Sequence, residues 1–441
     1  GVQISYWQEC FEHYSIRGKV MNICKRFKCN TCETLIDCRI GMSNRDVQPF
    51  QFSCPNCEEI ISFTIGADDG GLQGATDIIK FNGPFTGENP FVDLHLDFPV
   101  SFGAYKIGNT AYLKAVAELG AESMGHLEQR LSVLNMLHKK SRDLARLVTQ
   151  YKRGDTKSFK KVCRHIPGVN LKSEKKQDII AALYSATSIM SSPFTVHEHN
   201  RELSEEMPNI LSELYSTYTD KFIGFSDTIA SNQFLKNLHH DCISLYPKII
   251  ELDLPLRPAL YYDYVEPEKL GDIPARVSAR DFSDCNNLYK DLAEVYSRQL
   301  VLLAGLNNLI KRGDSDLFDP SVRLNKKGNS IKDFSSLNNY ANVDLGRKIC
   351  AIDDSFIKID PQAMDNKLRN SIAHYKFDYK ASSQLITFYP GKEGMNRGKC
   401  HSIYFIEFMR KMLLLFREVH SINHVIKSLM FFRIFILKKD I

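Results

Sequence analysis

The sequence predicts a mainly α protein with a small β-rich region at its N-terminus. Beyond residue 110, apolar residues recur every three or four positions, which is the period of a helix that faces a core. Before residue 110, turn-forming glycines and prolines accompany paired cysteines. Hydrophobic residues make up 43% of the 441 residues and charged residues 25%, which is ordinary globular composition and excludes collagen-like or wholly disordered chains.

We expect four consecutive regions along the chain. They are a cysteine-rich head at residues 1–65, a β-containing unit at 66–110, a basic helical segment at 111–176 and a large helical domain at 177–441. The β-containing unit could also be continuous with the head.

Two further patterns place elements within these regions. Val92, Leu94, Leu96 and Phe98 alternate with polar residues, which predicts a strand. Residues 337–356 are predicted to form one helix, residues 384–398 a β-like or loop insert, and the final helices are predicted to begin near residue 401.

Four cysteines form two C-x2-C pairs separated by 21 residues. These are Cys29 with Cys32 and Cys54 with Cys57. A two-residue gap lets a tight turn direct two thiolates at one ion, and two such turns complete a tetrahedral four-sulfur site. The spacing resembles a zinc ribbon, so we predict a structural Zn²⁺ at these residues. Either Cys24 or Cys38 could replace one ligand.

The ribbon has two interpretations. Four sulfur ligands leave no open coordination position, which favours an ion that only stabilises a small unit. Contact of the ribbon with nucleic acid or protein is the alternative.

Arg369, Asn370 and His374 form an R-N-x3-H pattern. On a helix, Asn370 and His374 lie one turn apart on the same face, with Arg369 beside them. A histidine with a pKa of about 6.5 can move the protons that RNA strand cleavage requires. The forked charge of Arg369 suits the phosphate oxygens of the transition state. Asn370 can orient the phosphate or the imidazole.

Residues 368–375, followed by the aromatic-acidic residues 377–379, resemble the R-x4-6-H motif of the HEPN superfamily. The resemblance implies a C-terminal helical bundle and an endoribonuclease that cleaves RNA by attack of the 2′-OH, with no cofactor for catalysis. It assigns catalytic roles to Arg369 and His374 and a supporting polar role to Asn370. Some members of the superfamily are assembly or nucleotide-binding modules instead.

The same resemblance implies partners. HEPN proteins usually form a homodimer or a higher homo-oligomer in which two motifs face each other. Many act in antiphage defence, abortive infection and toxin–antitoxin systems. A phage-derived trigger or an antitoxin is therefore an expected partner beside RNA.

A dense basic segment follows the first long helical pattern. Residues 138–176 hold 13 Lys or Arg and three acids, a local charge of +10 in a chain whose total is +5. Its ten candidate phosphate ligands are Lys139, Lys140, Arg142, Arg146, Lys152, Arg153, Lys157, Lys160, Lys161 and Arg164. Tyr151 and Phe159 are interleaved and could stack on bases. A solvated helix face is the alternative.

Together these features predict a cytoplasmic endoribonuclease with RNA as its substrate. A non-catalytic dimer that binds nucleic acid through the zinc ribbon and the basic segment is the alternative, and a protein-interaction scaffold is a weaker one. No run of 18 apolar residues and no charged-then-apolar N-terminus occur, so we expect neither a membrane span nor a signal peptide.

Overall fold

The structure, a computed structural model, describes residues 22–66, 71–80, 85–266, 275–280, 282–391 and 398–440. The chain divides into two units of three segments each. Unit 1 comprises Gly1–Lys140, Glu251–Cys285 and Phe377–Arg410, and unit 2 comprises Ser141–Ile250, Asn286–Lys376 and Lys411–Ile441. Helices account for 56% of the described residues, which confirms a mainly α fold.

The strands all belong to unit 1. They are β1 (Asn22–Cys29), β2 (Leu35–Gly41), β3 (Gln48–Ser53), β4 (Ile60–Ile65), β5 (Ala75–Lys80), β6 (Phe91–His95), β7 (Val100–Ser101), β8 (Ala275–Arg276), β9 (Phe377–Lys380), β10 (Leu385–Phe388) and β11 (His401–Tyr404). One sheet has the order β5-β1-β2-β6, in which only β2 and β6 run parallel. A second sheet, β11-β10-β9, is antiparallel, and β3-β4 and β7-β8 are two-stranded.

Alternating apolar residues of these strands form the core around the cysteine pairs. Phe27 of β1 and Phe63 of β4 have ring centres 5.5 Å apart, and Phe50 of β3 stacks on Phe63 at 5.3 Å. Val92 and Leu94 of β6 are buried in the same cluster, as the alternation in the sequence predicts. Strands of the predicted regions 1–65 and 66–110 therefore share one sheet. Residues 1–21 of the predicted head lie outside the described residues.

The described residues contain 14 helices. They are α1 (Ala111–His138), α2 (Ser141–Arg153), α3 (Thr156–Cys163), α4 (Lys176–Ser191), α5 (His197–Thr217), α6 (Thr219–Ser231), α7 (Phe234–Glu251), α8 (Asp253–Tyr261), α9 (Phe282–Arg312), α10 (Pro320–Arg323), α11 (Leu337–Tyr340), α12 (Leu345–Ala351), α13 (Asn366–Ala373) and α14 (Phe405–Phe432). Unit 1 holds α1 and α8, whereas α7, α9 and α14 contribute most of their length to unit 2, which also holds the other helices.

Three long helices build the interior of unit 2. Leu413 and Phe416 are buried along the part of α14 that belongs to unit 2, and Met409 is buried in the part that belongs to unit 1, in agreement with the predicted apolar face. The hydroxyl of Tyr246 on α7 lies 2.7 Å from the Nδ1 atom of His420 on α14. The side chain of Gln299 on α9 donates to the carbonyl of Val419 at 2.9 Å. These hydrogen bonds, which lie between otherwise apolar helix surfaces, fix the positions of α7, α9 and α14 along one another.

Two predicted elements differ from the structure. Residues 337–356 form two short helices, α11 and α12, because the chain turns between Tyr340 and Leu345 and α12 restarts on the N-cap Asp344. Residues 401–404 are a strand rather than the start of a helix, because they pair with β10 along their whole length. Within the predicted insert, β10 is a strand, and residues 392–397 lie outside the described residues.

Candidate functional site: a cysteine cluster and a cleft beside the R-N-x3-H helix

The two predicted cysteine pairs lie in the turns of two hairpins of unit 1. Cys29 and Cys32 belong to the turn between β1 and β2, and Cys54 and Cys57 to the turn between β3 and β4. The Sγ atoms of Cys29 and Cys57 are 3.6 Å apart, as are those of Cys32 and Cys54, and all four lie within 4.8 Å of one another. The four cysteines lie close enough together to bind one metal ion.

Both turns repeat the same backbone geometry. Glu33 and Glu58 each follow the first cysteine of a pair by four residues, and their φ angles are 58° and 64°. The peptide N–H of Glu33 donates to the carbonyl of Cys29 at 3.1 Å, and that of Glu58 to the carbonyl of Cys54 at 3.0 Å. Since residues other than glycine rarely adopt positive φ, the shared geometry indicates turns that are shaped to position the sulfurs.

The surroundings favour a thiolate at one of the four sulfurs. Hydrogen bonding by Thr34, whose Oγ1 lies 3.2 Å from the sulfur, lowers the pKa of the Cys32 thiol to about 5. Metals bind thiolates, so this shift suits a ligand. Burial raises the pKa of the Cys54 thiol, and it also raises that of Cys38, which is fully buried in the sheet core. In the described residues the cluster comprises the four paired cysteines, without Cys24 or Cys38.

The R-N-x3-H residues lie on α13 and at its C-terminal end. Asp365 is the N-cap of this helix, and its carboxylate accepts hydrogen bonds from the N–H groups of Lys367 and Leu368, each at 3.1 Å. Leu368 and Ile372 are buried four residues apart and anchor one face of the helix. The cap and this apolar face hold Arg369 and Asn370 in place at the protein surface.

Arg369 has one partner on its own helix and one on α9. Its Nη1 donates to Oδ1 of Asn370 at 3.1 Å, and its Nη2 forms an ion pair with Glu294. The first contact joins two neighbouring residues of the R-N-x3-H motif. The second contact joins residues 75 positions apart, and no spacing rule in the sequence identifies Glu294. One N–H group of the guanidinium that the sequence predicts to bind phosphate is therefore already paired with a carboxylate.

His374 follows the last helical residue of α13 as its C-cap. Its N–H donates to the carbonyl of Asn370 at 3.1 Å, so the two residues remain one helical turn apart, as predicted. The side chain of His374 is exposed. The next residue, Tyr375, is 79% exposed, and Nζ of Lys290 lies 5.6 Å from the centre of its ring.

A cleft of about 300 Å³ lies beside Arg369 and Asn370, within unit 2. It is formed by α9, by the turn before α12, by the N-terminal part of α12 and by α13. Its polar lining outside the motif includes Ser297, Arg298, Lys348 and Asn366. The volume is at the lower end of the range for small-molecule sites. The motif side chains Arg369 and Asn370 thus belong to a shaped pocket, whereas His374 is not part of its lining.

Lys348 is the most buried cation of this cleft. It is 3% exposed, and its Nζ contacts two uncharged atoms, the carbonyl oxygen of Ser297 at 3.2 Å and the hydroxyl of Ser297 at 3.1 Å. Burial lowers the pKa of Lys348 to about 8. The sequence gives no signal for this residue, because a lysine on a short helix matches no motif.

The ten predicted phosphate ligands divide between the two units. Lys139 and Lys140 belong to unit 1, where Lys139 forms an ion pair with Asp46 at 2.8 Å. The other eight belong to unit 2, and all eight are exposed. On α3, Lys157, Lys160, Lys161 and the C-cap Arg164 follow one another at helical spacing on one face, opposite the buried Phe159 and Cys163.

The predicted stacking role of Phe159 is wrong. Phe159 is 1% exposed because it forms the apolar face of α3, and a base cannot reach it. Tyr151 lies against Phe159 with ring centres 6.3 Å apart, and its hydroxyl is 3.1 Å from Nε2 of His239. The hydroxyl of Tyr184 is 3.0 Å from the other nitrogen of His239. These aromatic residues join α2 and α3 to the interior of unit 2.

Comparison with protein-family models, with curated proteins and with solved structures finds no match to this chain. The HEPN resemblance therefore depends on the motif residues alone. In the part of the chain that the structure describes, no helix is both long enough and apolar enough to cross a membrane.

Proposed function

We propose that the protein is an endoribonuclease that cleaves RNA at Arg369, Asn370 and His374. The observation that carries the proposal is the placement of Arg369 and Asn370 on the wall of a polar cleft, one helical turn from an exposed histidine. A cation, an amide and an imidazole on one helix end are groups that can serve a phosphodiester transfer.

The reaction proceeds by internal attack. The ribose 2′ oxygen bonds to the adjacent phosphorus while the bond from phosphorus to the 5′ oxygen breaks, which leaves a 2′,3′-cyclic phosphate and a 5′-hydroxyl. The imidazole of His374 accepts the 2′-OH proton while water donates a proton to the leaving 5′ oxygen, or His374 donates that proton while water accepts the one from the 2′-OH. Arg369 holds the negative charge that develops on the non-bridging oxygens, and Asn370 positions the phosphate. None of these groups is a metal ion.

RNA binding on the basic face of α3 would support this chemistry. Lys157, Lys161 and Arg164 are exposed, and among the described residues no carboxylate lies within 4 Å of their charged nitrogens. The Nζ of Lys160 forms an ion pair with Glu174 at 3.0 Å. Exposed cations at helical spacing, without a carboxylate in direct contact, match the charge of a phosphate backbone.

For the cysteine cluster we propose a structural Zn²⁺. A tetrahedral ion with Zn–S distances of about 2.3 Å places its sulfurs about 3.8 Å apart. The observed distances of 3.6 Å between the Sγ atoms agree with that geometry. Four thiolates leave such an ion no open coordination position for a substrate, so its role would be structural. It would hold the turns of the two hairpins together.

The remaining proposals come from the HEPN resemblance. A second copy of the chain would bring a second R-N-x3-H motif to a composite site, and an antiphage or abortive-infection role would require control by a trigger or an antitoxin. The exposure of His374 leaves it accessible to such a second copy.

The test is RNA cleavage by wild type and His374→Ala in magnesium-free buffer with EDTA, after zinc content has been matched. His126→Ala, an exposed histidine of α1, is the control. Cleavage by wild type and the control, with cyclic-phosphate ends, and its loss in His374→Ala would support the proposal. Equal cleavage by all three proteins would refute the assignment of His374.

The second candidate is a nucleic-acid-binding protein without catalysis, which the exposed cations of α3 favour. It predicts RNA binding that weakens steeply with salt and that is the same in wild type and His374→Ala, with no cleaved product.

A further inference from the structure

We propose that the cleft beside Arg369 is a phosphate-binding subsite in which Lys348 is the central cation. The ligand is the phosphate group of a nucleotide. Its assignment to an RNA strand, next to the scissile bond, rests on the proposed ribonuclease function, whereas the anion site itself does not.

The first argument is the burial of an ammonium group whose contacts are uncharged. Lys348 is 3% exposed, and both contacts of its Nζ are to oxygens of Ser297. An ammonium has three N–H donors, so Ser297 satisfies two of them. Glu294 and Asp344 attract this charge from a distance, but burial outweighs them and lowers the pKa of Lys348. A bound anion would supply a directly contacting opposite charge and the third acceptor.

The second argument is the charge of the other lining residues. Arg298 forms an ion pair with Asp241 at 2.5 Å, and Glu294 is engaged by Arg369. Asp344 is the N-cap of α12, and its carboxylate accepts from the N–H of Arg347 at 3.1 Å. Both acids of the lining therefore have basic or N–H partners of their own. In the part of the chain that the structure describes, no carboxylate oxygen lies within 4 Å of the Nζ of Lys348, and Glu294 and Asp344 act on it only at longer range.

The third argument is the set of neutral donors around that charge. Asn366 and Asn370 line the cleft with Arg369, and Asn366 lies so close to α12 that a Cβ on Gly346 would stand 3.0 Å from its Nδ2. Amide N–H groups and cations together are suited to phosphate oxygens, which accept several charge-assisted hydrogen bonds at once. The cleft lies directly beside the guanidinium that the proposed reaction uses for the scissile phosphate.

The test measures binding and chemical protection on the zinc-loaded full chain. The probes are inorganic phosphate, adenosine monophosphate and a 2′-O-methyl RNA oligonucleotide, which cannot undergo 2′-OH attack. Calorimetry is performed on wild type, Lys348→Met and the control Lys311→Met, which changes a lysine of α9 that is paired with Asp354. In parallel, acetic anhydride at pH 8 labels neutral amines of wild type, and mass spectrometry reports the acetylation of Lys348 with and without each probe.

We expect Lys348→Met to weaken binding of at least one probe by about tenfold or more, as for loss of a charge-assisted contact, while Lys311→Met leaves it unchanged. The same probe should protect Lys348 from acetylation. Tighter binding and protection by the oligonucleotide would identify an RNA strand as the source of the phosphate. Tighter binding by the mononucleotide would identify a free nucleotide. Equal binding in wild type and Lys348→Met, with no protection by any probe, would overturn the proposal.

The outcomes separate this inference from the ribonuclease proposal. If His374→Ala proves as active as wild type while Lys348 still governs phosphate binding, the ribonuclease assignment fails and the subsite remains. If His374→Ala is inactive but Lys348 is neither protected nor needed for binding, the subsite fails and the ribonuclease assignment remains. Should Lys348→Met not fold, Lys348→Arg and the acetylation of wild type decide the question.

Discussion

At the scale of single residues, Glu418 of α14 is a carboxylic acid held in an unfavourable place. It is 8% exposed, and no hydrogen-bond partner of its Oε2 is present among the described residues. Burial, together with the nearby charge of Asp360, raises the pKa of Glu418 to about 7 from an ordinary value of 4.5. The native state therefore binds this proton more tightly than the unfolded chain does.

Glu418→Gln should stabilise the protein at pH 8 by up to about 3 kcal/mol and leave stability unchanged near pH 4.5. Below pH 4.5 the carboxyl is protonated in both states, so it has no penalty. As pH rises from 4.5 to 7, the unfolded chain releases the proton that the native state still binds, so stability falls until the native carboxyl also ionises. Urea denaturation of both proteins across this range measures the difference. An exposed-site control, Glu213→Gln, should show no such pH dependence, and a constant difference for Glu418→Gln would contradict the assigned pKa.

The ion pair between Glu294 and Arg369 leads to a second prediction. Under the ribonuclease proposal, Glu294 competes with RNA phosphate for the guanidinium, so Glu294→Gln should raise RNA cleavage at limiting substrate by a few-fold. Arg369→Ala should abolish cleavage. Initial rates against RNA concentration provide the measurement, with Glu213→Gln as the control. A lower rate in Glu294→Gln would mean that the carboxylate instead positions Arg369.

The site was only partly predictable at this scale. The cysteines and the motif residues could be found because their spacing along the chain reflects a local turn or one helix. Glu294 and Lys348 could not, because they reach Arg369 only through the packing of α9 and α12 against α13. The sequence does not distinguish the two roles of Phe159, because an aromatic residue between lysines suits a base-stacking site and an amphipathic helix equally well.

At the scale of elements, the two hairpin turns with positive-φ glutamates are the parts most dependent on the proposed ion. Cys57→Ser should lower bound zinc and the melting temperature, and should increase hydrogen exchange in β3 and β4, because one ligand of four is replaced by a poorer one. The exposed Cys350→Ser is the matched control. Metal analysis and exchange mass spectrometry measure these effects. Equal zinc content and equal exchange in both variants would argue against a metal at these sulfurs.

The elements also show where periodicity suffices. The apolar face of α14 was predictable, since Met409, Leu413 and Phe416 repeat at helical spacing over many turns. For residues 401–404 the sequence predicts a helix, because Ile403 fits the same spacing. Their strand conformation depends on hydrogen bonds to β10, a partner that local periodicity does not reveal.

At the scale of the whole molecule, the net charge is small, but positive charge is concentrated in residues 138–176. Replacing Lys157, Lys161 and Arg164 with Gln should weaken RNA binding and lower the slope of log K against log salt by about two to three, one per lost phosphate contact at most. Neutralising Lys326 and Lys327, which are exposed on a loop, is the control, and its effect is compared per charge removed. Fluorescence anisotropy at several salt concentrations provides both slopes. An equal loss of affinity in the control would indicate a general charge effect.

The division of the molecule was the least predictable feature. Composition and periodicity describe neighbours along the chain, so they suggest consecutive regions such as 177–441. In the structure, residues 251–285 and 377–410 of that range belong to unit 1. Those segments join unit 1 through contacts such as the pairing of β7 with β8, which are distant in sequence.

The interleaving of three segments per unit has a consequence for biosynthesis. Each core needs residues from the last part of the chain, so on the ribosome neither unit can be completed until the polypeptide beyond residue 376 has emerged. The helix with Arg369 precedes the closing segment of its own unit. A nascent chain would therefore carry the motif before it has the folded framework to use it, and any ribonuclease activity would arise only after the segment beyond residue 410 has emerged.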